Sequence, residues 1–270
     1  MNQARSELSL DASRRLLVKE GLVYGPIASR RLGRSLGVNL LGFDAKLCSF
    51  NCRYCQCGWT KCPTMTLGRR IDDLPSAEQV VGALEQKLRQ LLHDRITVDV
   101  ITFSGNGEPT LHPQLGRIVE GAASLRDHYS PVSKLAILSN SSTVHKPEVR
   151  AALERVDLKI MKLDAGSERL LRRINLPARG CDFNRMLQGL AELEGVILQS
   201  MFVSGAVDNT NPPAVREWLK RIVEIHPEWV QVYSLDRTPP DPRIRQVPRT
   251  ILESIAYYAR WRTGVPVDVC

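Results

Sequence analysis

Apolar stretches of strand length alternate along this chain with segments whose apolar residues recur at helical spacing. The pattern predicts strands at residues 37–42, 98–105, 134–140, 156–164, 196–203 and 230–236. It predicts a short leading helix at residues 8–20 and further helices at 76–93, 111–127, 147–155, 167–173, 184–193, 213–225 and 249–262. Strands that alternate with helices build a parallel sheet when each crossover is right-handed.

The number of strands sets the expected architecture. A closed barrel of this kind has eight parallel strands, and the pattern supplies six. The expected fold class is therefore α/β with an open, partial (βα)6 barrel. We expect residues 1–24 to form an N-terminal helical extension, residues 25–245 the barrel core, and residues 246–270 a C-terminal helix and tail. In barrels of this kind the functional residues lie at the carboxyl ends of the strands.

Each predicted strand ends in a polar or glycine-rich segment, and the first runs into the cysteine loop CSFNCRYC. Its sulfurs belong to Cys48, Cys52 and Cys55. Iron–sulfur clusters are held by cysteine thiolates, and a four-iron cluster normally takes four of them. Three cysteines leave one iron open, which is typical of a catalytic metal site. On their own they also allow a zinc site or a closed cluster.

The next strand ends are the second source of candidate chemistry. SGNGEPT contains Gly105, Asn106, Gly107 and Glu108, which offer glycine backbone that a ligand can approach closely and a carboxylate for an ammonium group. Asn140 lies at the end of the third strand and is suited to a sugar hydroxyl. The ring of Tyr54 offers an aromatic face for a nucleobase, or it packs beneath the loop.

The cysteine loop together with SGNGEP resembles the radical S-adenosylmethionine (radical SAM) superfamily, and the resemblance covers residues 25–241. YGPIASRRLGRSLGVNLL, KLDAG, FVSGAVDN and YSLDRTPPD resemble a subgroup of small stand-alone members similar to wyosine-type tRNA-modifying enzymes. Asn106 replaces the second glycine of the usual Gly-Gly-Glu. Wyosine synthases carry further cysteines upstream, whereas this sequence has none before Cys48, which argues against wyosine synthesis.

The resemblance implies a partial barrel of the radical SAM type, and a 4Fe-4S cluster held by Cys48, Cys52 and Cys55. It implies an S-adenosyl-L-methionine pocket formed by residues 105–108, Asn140 and the end of the fifth strand at Val203 and Ser204. An external one-electron reductant, similar to flavodoxin or ferredoxin, would reduce the cluster. Cleavage of S-adenosylmethionine would then give methionine and a 5′-deoxyadenosyl radical, which abstracts hydrogen from the substrate.

For two further groups of residues, the sequence allows more than one role. Lys162 and Asp164 share one face of a strand and are either catalytic groups inside the barrel or a structural ion pair. The remaining cysteines are ordinary thiols or ligands of an auxiliary cluster or metal near the barrel mouth, and Cys57 is also a candidate fourth cluster ligand. These spare cysteines are Cys57, Cys62, Cys181 and Cys270.

Charge and composition add limits on location and partners. The chain carries 37 basic and 29 acidic residues, a net charge of +8, with arginines clustered at 30–34, 169–173 and 237–249. This balance favours RNA or a small anionic molecule as substrate, or marks a solvated basic face. We find no apolar stretch of membrane-spanning length and no signal peptide in the charged N-terminus. The expected location is therefore cytoplasmic.

Three functions compete at this point. The first is a radical SAM enzyme that acts on a nucleic acid or a small molecule. The second is a radical activase whose substrate is a partner protein and whose barrel is shallow and open. The third is a non-catalytic protein whose cysteines bind structural zinc and whose basic surface binds RNA. The cysteine loop combined with the polar strand ends favours the first.

Overall fold

The computed structural model describes residues 21–42, 46–68, 72 and 74–270. The helix expected at residues 8–20 lies outside the described residues. The described strands are β1 (Val23–Ser29), β2 (Gly33–Val38), β3 (Val100–Phe103), β4 (Lys134–Ser139), β5 (Leu158–Lys162), β6 (Val196–Met201), β7 (Ser204–Gly205), β8 (Trp229–Tyr233), β9 (Ile244–Arg245) and β10 (Val267–Val269). The described α-helices are α1 (Ala77–His93), α2 (Leu115–Tyr129), α3 (Pro147–Leu153), α4 (Glu168–Ile174), α5 (Phe183–Ala191), α6 (Pro212–Ile225) and α7 (Arg249–Thr263).

The six strands expected from the sequence form the centre of the sheet. They lie side by side in the order β2-β3-β4-β5-β6-β8, and every neighbouring pair is parallel. All side chains of β3 and β6 are buried, as in parallel sheets whose two faces are both covered. The α/β class with a partial barrel is therefore confirmed.

The bounds and number of the strands differ from the sequence pattern in two respects. The first parallel strand spans Gly33–Val38 rather than residues 37–42. Asn39 ends it, because its amide donates to the Gly42 carbonyl at 2.9 Å and turns the chain out of the sheet. The edge strands β1 and β10 and the separate β7–β9 pair were not predicted. β1 contains a Gly-Pro step, and the other three strands have only two or three residues, too few for a periodic signal.

The turn between β1 and β2 connects the two sides of the curved sheet. β1 is one edge of the sheet and pairs antiparallel with β2, whereas β8 lies next to the opposite edge. Arg30 in this turn forms an ion pair with Asp236, and the Arg31 guanidinium lies 4.8 Å from the centre of the Tyr233 ring. Both partners lie at or just after the end of β8. The sheet therefore curves far enough for the turn to bridge its lateral gap.

Helix boundaries follow the expected capping signals. The Ser76 hydroxyl accepts a hydrogen bond from the Gln79 backbone, and the Gln79 side chain accepts one from the Ser76 backbone, which completes a capping box. Pro147 is at the start of α3, and Asn211 caps α6 through the Ala214 N–H. Among the described residues, no helix has the length and apolarity needed to cross a membrane.

Helix α6 is attached to the sheet by Trp218, which provides a test of the packing. Its side chain is buried, its indole N–H donates to Ser200 Oγ at 3.0 Å, and its ring meets Phe202 edge-on at 5.2 Å. We expect Trp218→Ala to lower the free energy of unfolding by about 3–5 kcal/mol. Urea unfolding of the metal-free protein measures this change.

Trp261 supplies the matched control for that substitution. It is 69% exposed on α7, so Trp261→Ala is expected to change the free energy of unfolding by no more than about 0.5 kcal/mol. Equal losses in the two variants would contradict the packing described for α6.

Candidate active site

The cysteine loop follows β2. It is held on one side by residues 104–110, the glycine loop, which follows β3. The Leu47 N–H donates to the Asn106 carbonyl, and the Glu108 N–H donates to the Leu47 carbonyl, both at 2.9 Å. This bridge requires glycine at position 107, where a Cβ atom would lie 1.6 Å from the Leu47 carbonyl oxygen. The side-chain amide of Asn106 also donates to the Gly42 carbonyl at 3.0 Å, so Asn106 links the glycine loop to the segment that precedes the cysteine loop.

The other side of the cysteine loop pairs with the segment that follows α4. The Asn51 N–H donates to the Asn175 carbonyl at 2.9 Å, and the Arg53 N–H donates to the Ile174 carbonyl at 3.1 Å. The Ala178 N–H donates back to the Ser49 carbonyl at 2.8 Å. The backbone of the loop is therefore fixed between two neighbours, and its cysteine side chains start from defined positions.

Nitrogen donors surround the cysteine sulfurs. Cys48 and Cys52 are buried, and Cys55 is half-buried. The Asn140 amide lies 3.5 Å from Cys48 Sγ, and the Asn175 amide lies 3.3 Å from Cys52 Sγ. The buried Lys46 ammonium donates to the Gly58 carbonyl at 2.8 Å and also faces Cys55. Such donors stabilise negative charge on sulfur, which a metal-bound thiolate carries.

The ionisation of these groups reflects burial and their mutual contacts. Burial raises the pKa of Cys48, and it raises the pKa of Cys52 to about 11. A hydrogen bond from Cys57 lowers the pKa of Cys55 despite its burial, and Lys46 adds to this effect. Burial alone would lower the pKa of Lys46, but the three cysteines raise it. Metal binding at this loop would therefore displace protons from buried thiols.

One cavity of about 150 Å³ brings most of the predicted site residues together. It lies where the strands end and the cysteine and glycine loops meet. From the predicted set it is lined by Cys48, Cys52, Tyr54, Cys55, Gly105, Gly107, Glu108, Asn140 and Lys162. A cavity with convergent polar groups at this edge of a parallel sheet is the usual form of a binding site.

Glu108 is buried in the wall of this cavity. Its Oε1 accepts hydrogen bonds from the Thr110 N–H, the Thr110 hydroxyl and the Ser139 hydroxyl, and its Oε2 accepts one from the Asn140 N–H at 2.6 Å. Burial raises the pKa of Glu108, whereas these hydrogen bonds oppose the rise. The carboxylate thus ties the glycine loop to the end of β4 and still faces the cavity.

Lys162 and Asp164 form a buried ion pair with an Nζ–Oδ1 distance of 3.3 Å. The Lys162 ammonium also donates to the Tyr233 hydroxyl, and it lies 5.0 Å from the centre of the Tyr54 ring. Burial alone would lower the pKa of Lys162, but the charge of Asp164 and the contact with Tyr233 raise it above its usual value. Lys162 is therefore a cation in the cavity wall at neutral pH.

Asp164 lies behind this wall and acts as a hydrogen-bond acceptor for several elements. Its Oδ1 accepts from the Met201 N–H at 2.7 Å, and its Oδ2 accepts from the Asn175 amide at 2.7 Å and from the Tyr54 hydroxyl. Tyr54 therefore lines the cavity, and its hydroxyl is at the same time anchored on Asp164.

Four residues of the predicted set do not line the cavity: Asn106, Asp164, Val203 and Ser204. Val203 is buried and pairs through its N–H with Asn209, and Ser204 belongs to β7. Several residues of the site were missed from the sequence, namely Lys46, Ser139, Asn175, Gln199 and Tyr233. Lys46 has a signal, because it lies two residues before the first cysteine. Asn175 has none, since it meets Cys52 only across 123 residues of chain.

The spare cysteines lie in different surroundings. Cys57 lines the same cavity as the cysteine loop, and its sulfur contacts the Gly105 carbonyl at 3.7 Å. Cys62 is exposed and Cys181 is buried, whereas Cys270 lines another cavity beside Arg30 and Arg31. In the part of the chain that the structure describes, no group of three or more His, Cys, Asp or Glu residues could hold a single metal ion. In a cubane cluster, by contrast, each cysteine ligates a different iron.

Three cysteines and a glycine loop thus lie together at the carboxyl end of a partial α/β barrel. The family model of the Radical SAM superfamily matches residues 45–198. The chain therefore belongs to the radical SAM superfamily, whose members use a 4Fe-4S cluster and S-adenosylmethionine.

Curated proteins and solved structures are also similar to this chain. The chain is 32% identical to the UPF0026 protein MJ1312 of Methanocaldococcus jannaschii over 74% of this chain and 60% of that protein. Its fold is similar to that of a radical SAM methyltransferase from Sphaerobacter thermophilus, with a TM-score of 0.65 and 16% identity over 87% of this chain and 65% of the other.

A second fold match is a structure of TYW1 with a lysine-pyruvate adduct bound, with a TM-score of 0.57 and 12% identity over 97% of this chain and 89% of the other. At these identities the similarity concerns the fold. The chain spans between 37% and 65% of the lengths of curated relatives that it matches.

Gly107→Ala tests the bridge between the two loops. The added Cβ would collide with the Leu47 carbonyl, and φ is +144° at this position, so the bridge must open and the cysteines lose their alignment. We expect an iron content after anaerobic reconstitution well below that of the wild type. The matched control is Gly82→Ala in α1, where a Cβ meets no atom within 4 Å. Equal iron contents in both variants would contradict the role of the bridge.

Proposed function

We propose that Cys48, Cys52 and Cys55 hold a 4Fe-4S cluster whose fourth iron binds S-adenosylmethionine in the cavity beside the glycine loop. The observation that carries the proposal is that the three cysteines, Gly105, Gly107 and Glu108 line the same cavity. When both are bound, the cluster would supply one electron for the cleavage of S-adenosylmethionine. The products would be methionine and a 5′-deoxyadenosyl radical that abstracts hydrogen from the substrate.

The residues of this chain would bind and orient these groups. Lys46 offsets the negative charge of three thiolates, and the amides of Asn140 and Asn175 donate to two of the sulfurs. Gly105 contributes its backbone to the cavity wall, and glycine is required there because an added Cβ atom would lie 2.4 Å from Asn39 Oδ1. Glu108 is held with one oxygen bonded by a single N–H, and this oxygen is suited to the ammonium group of the ligand.

The substrate side of the cavity is formed by β4, β5 and β6. Lys162 and Gln199 contribute a cation and an amide to the wall, and Leu138 and Ile160 contribute apolar surface. We infer that a substrate with an anionic group, either a small molecule or part of an RNA, places that group near Lys162. Asp164 holds Lys162 in position and is not itself in the wall. An external one-electron reductant of the flavodoxin or ferredoxin type is part of this proposal.

Two alternative functions, a radical activase and a zinc and RNA-binding protein, place different demands on the barrel and the cysteines. A radical activase needs a barrel that admits a segment of a partner protein, whereas here Arg30 and Asp236 connect the β1–β2 turn to the far side of the barrel. A zinc and RNA-binding protein needs cysteines that converge on one ion. The turn and the shared cavity favour the enzyme that acts on a small molecule or a nucleic acid.

Single cysteine substitutions test the cluster. We expect Cys52→Ala to lose most of the iron after anaerobic reconstitution, and to form no 5′-deoxyadenosine when dithionite and S-adenosylmethionine are added, because one iron loses its ligand. Cys62→Ala is the control, since Cys62 is exposed and away from the cavity lining. A colourless wild-type protein that binds zinc, or a fully loaded cluster that forms no 5′-deoxyadenosine, would refute the proposal.

Lys162→Met tests the substrate side separately. Methionine keeps much of the side-chain volume but removes the cation, so we expect that anionic candidates no longer accelerate 5′-deoxyadenosine formation above the variant's own substrate-free rate. Lys159→Met on the opposite face of the same strand is the control. The measurement is 5′-deoxyadenosine release with and without small carboxylates or RNA. Equal stimulation of wild type and Lys162→Met would contradict an anion site at Lys162.

A further inference from the structure

The carboxamide of Asn175 makes the contact between the cysteine loop and the ion pair of the cavity wall. Its Nδ2 lies 3.3 Å from Cys52 Sγ, 2.7 Å from Asp164 Oδ2 and 3.0 Å from the Tyr54 hydroxyl. The residue is 1% exposed. It is also the residue whose carbonyl accepts the Asn51 N–H beside Cys52.

The orientation of this carboxamide is determined by its surroundings. An exchange of its oxygen and nitrogen would place two acceptor oxygens against each other at Asp164 Oδ2, which is unfavourable. The nitrogen therefore faces Asp164, and its second N–H points to Cys52 and Tyr54. Asn175 Oδ1 is buried and, within the described residues, has no hydrogen-bond partner.

An unpartnered buried oxygen is a cost that an apolar side chain of similar size would avoid. Asparagine at position 175 supplies two N–H donors that an apolar side chain would lack. One of them anchors the amide on Asp164, and the other reaches the sulfur of a proposed cluster ligand. A hydrogen bond to a ligand sulfur stabilises the reduced, more negative state of an iron–sulfur cluster and thereby raises its reduction potential.

We propose that Asn175 is a positioning residue that raises the reduction potential of the cluster through its hydrogen bond to Cys52 Sγ, with Asp164 setting its orientation. This inference rests on the proposed function, since it requires a cluster at Cys48, Cys52 and Cys55. The step concerned is the transfer of one electron from an external reductant to the cluster, with no bond made or broken.

The test is a redox titration of the reconstituted full chain, monitored by electron paramagnetic resonance and carried out without S-adenosylmethionine. In Asn175→Leu the shape is kept and the donors are lost. We expect the reduced cluster to be disfavoured by about tenfold, which is a midpoint lowered by about 59 mV for a one-electron couple. Asn184→Leu is the matched control, because it makes the same substitution at an exposed position of α5 away from the cysteine loop, and its midpoint is expected to stay close to that of the wild type.

The outcomes separate this inference from the proposed function. A loaded cluster whose midpoint is the same in wild type and Asn175→Leu would overturn the role of Asn175 and leave the cluster intact. A wild-type chain that assembles no cluster would overturn the proposed function, and the role of Asn175 with it.

A second measurement applies if Asn175→Leu does not retain a cluster. Asparagine labelled with ¹⁵N is introduced into an Asn140→Ala variant, which lacks the other amide that contacts a cysteine of the loop. Pulsed electron paramagnetic resonance of the reduced cluster is expected to show a nitrogen coupling from the remaining side chain. Absence of that coupling would overturn the proposed hydrogen bond.

Discussion

The backbone pairing of the cysteine loop on both of its sides is the constraint on which the site depends. A loop that must present three thiols to one cluster loses conformational entropy, and here that entropy is already lost before metal binds. Leu47 pairs with the glycine loop after β3, and Asn51 and Arg53 pair with the segment after α4. Because one partner follows β3 and the other follows β5 and α4, the site forms only when β3 and β5 pair with opposite sides of β4.

Electrostatics at the site follows from the same arrangement. Burying Lys46 and Lys162 would be costly if either were unpaired. Lys46 faces the three cysteines, and Lys162 faces Asp164. A buried pair of this kind is weak support for stability but fixes geometry, because removal of one partner strands the other charge. The strongly shifted ionisation of these neighbouring groups is typical of active sites.

The curvature of the sheet brings distant parts of the chain into one contact network. Arg31 lies on the Tyr233 ring, Tyr233 accepts a hydrogen bond from Lys162, and Lys162 pairs with Asp164. Asp164 in turn holds the Asn175 amide against Cys52. A continuous set of contacts thus runs from the turn that bridges the barrel gap to the cysteine loop.

Periodicity and local motifs were sufficient for five of the six central parallel strands, the capped helices, the cysteine loop and the glycine loop, because each of these is encoded within a few neighbouring residues. They placed the first of the six strands several residues too late along the chain. The sequence by itself also determined that polar groups gather at one end of the sheet. Only the tertiary structure decided that Val203 and Ser204 are not among the residues that line the cavity, that Tyr54 is anchored on Asp164, and that Asn175 reaches Cys52. The physical reason is that these contacts depend on strand order, register and curvature, which join residues separated by more than 100 positions and leave no pattern between neighbours.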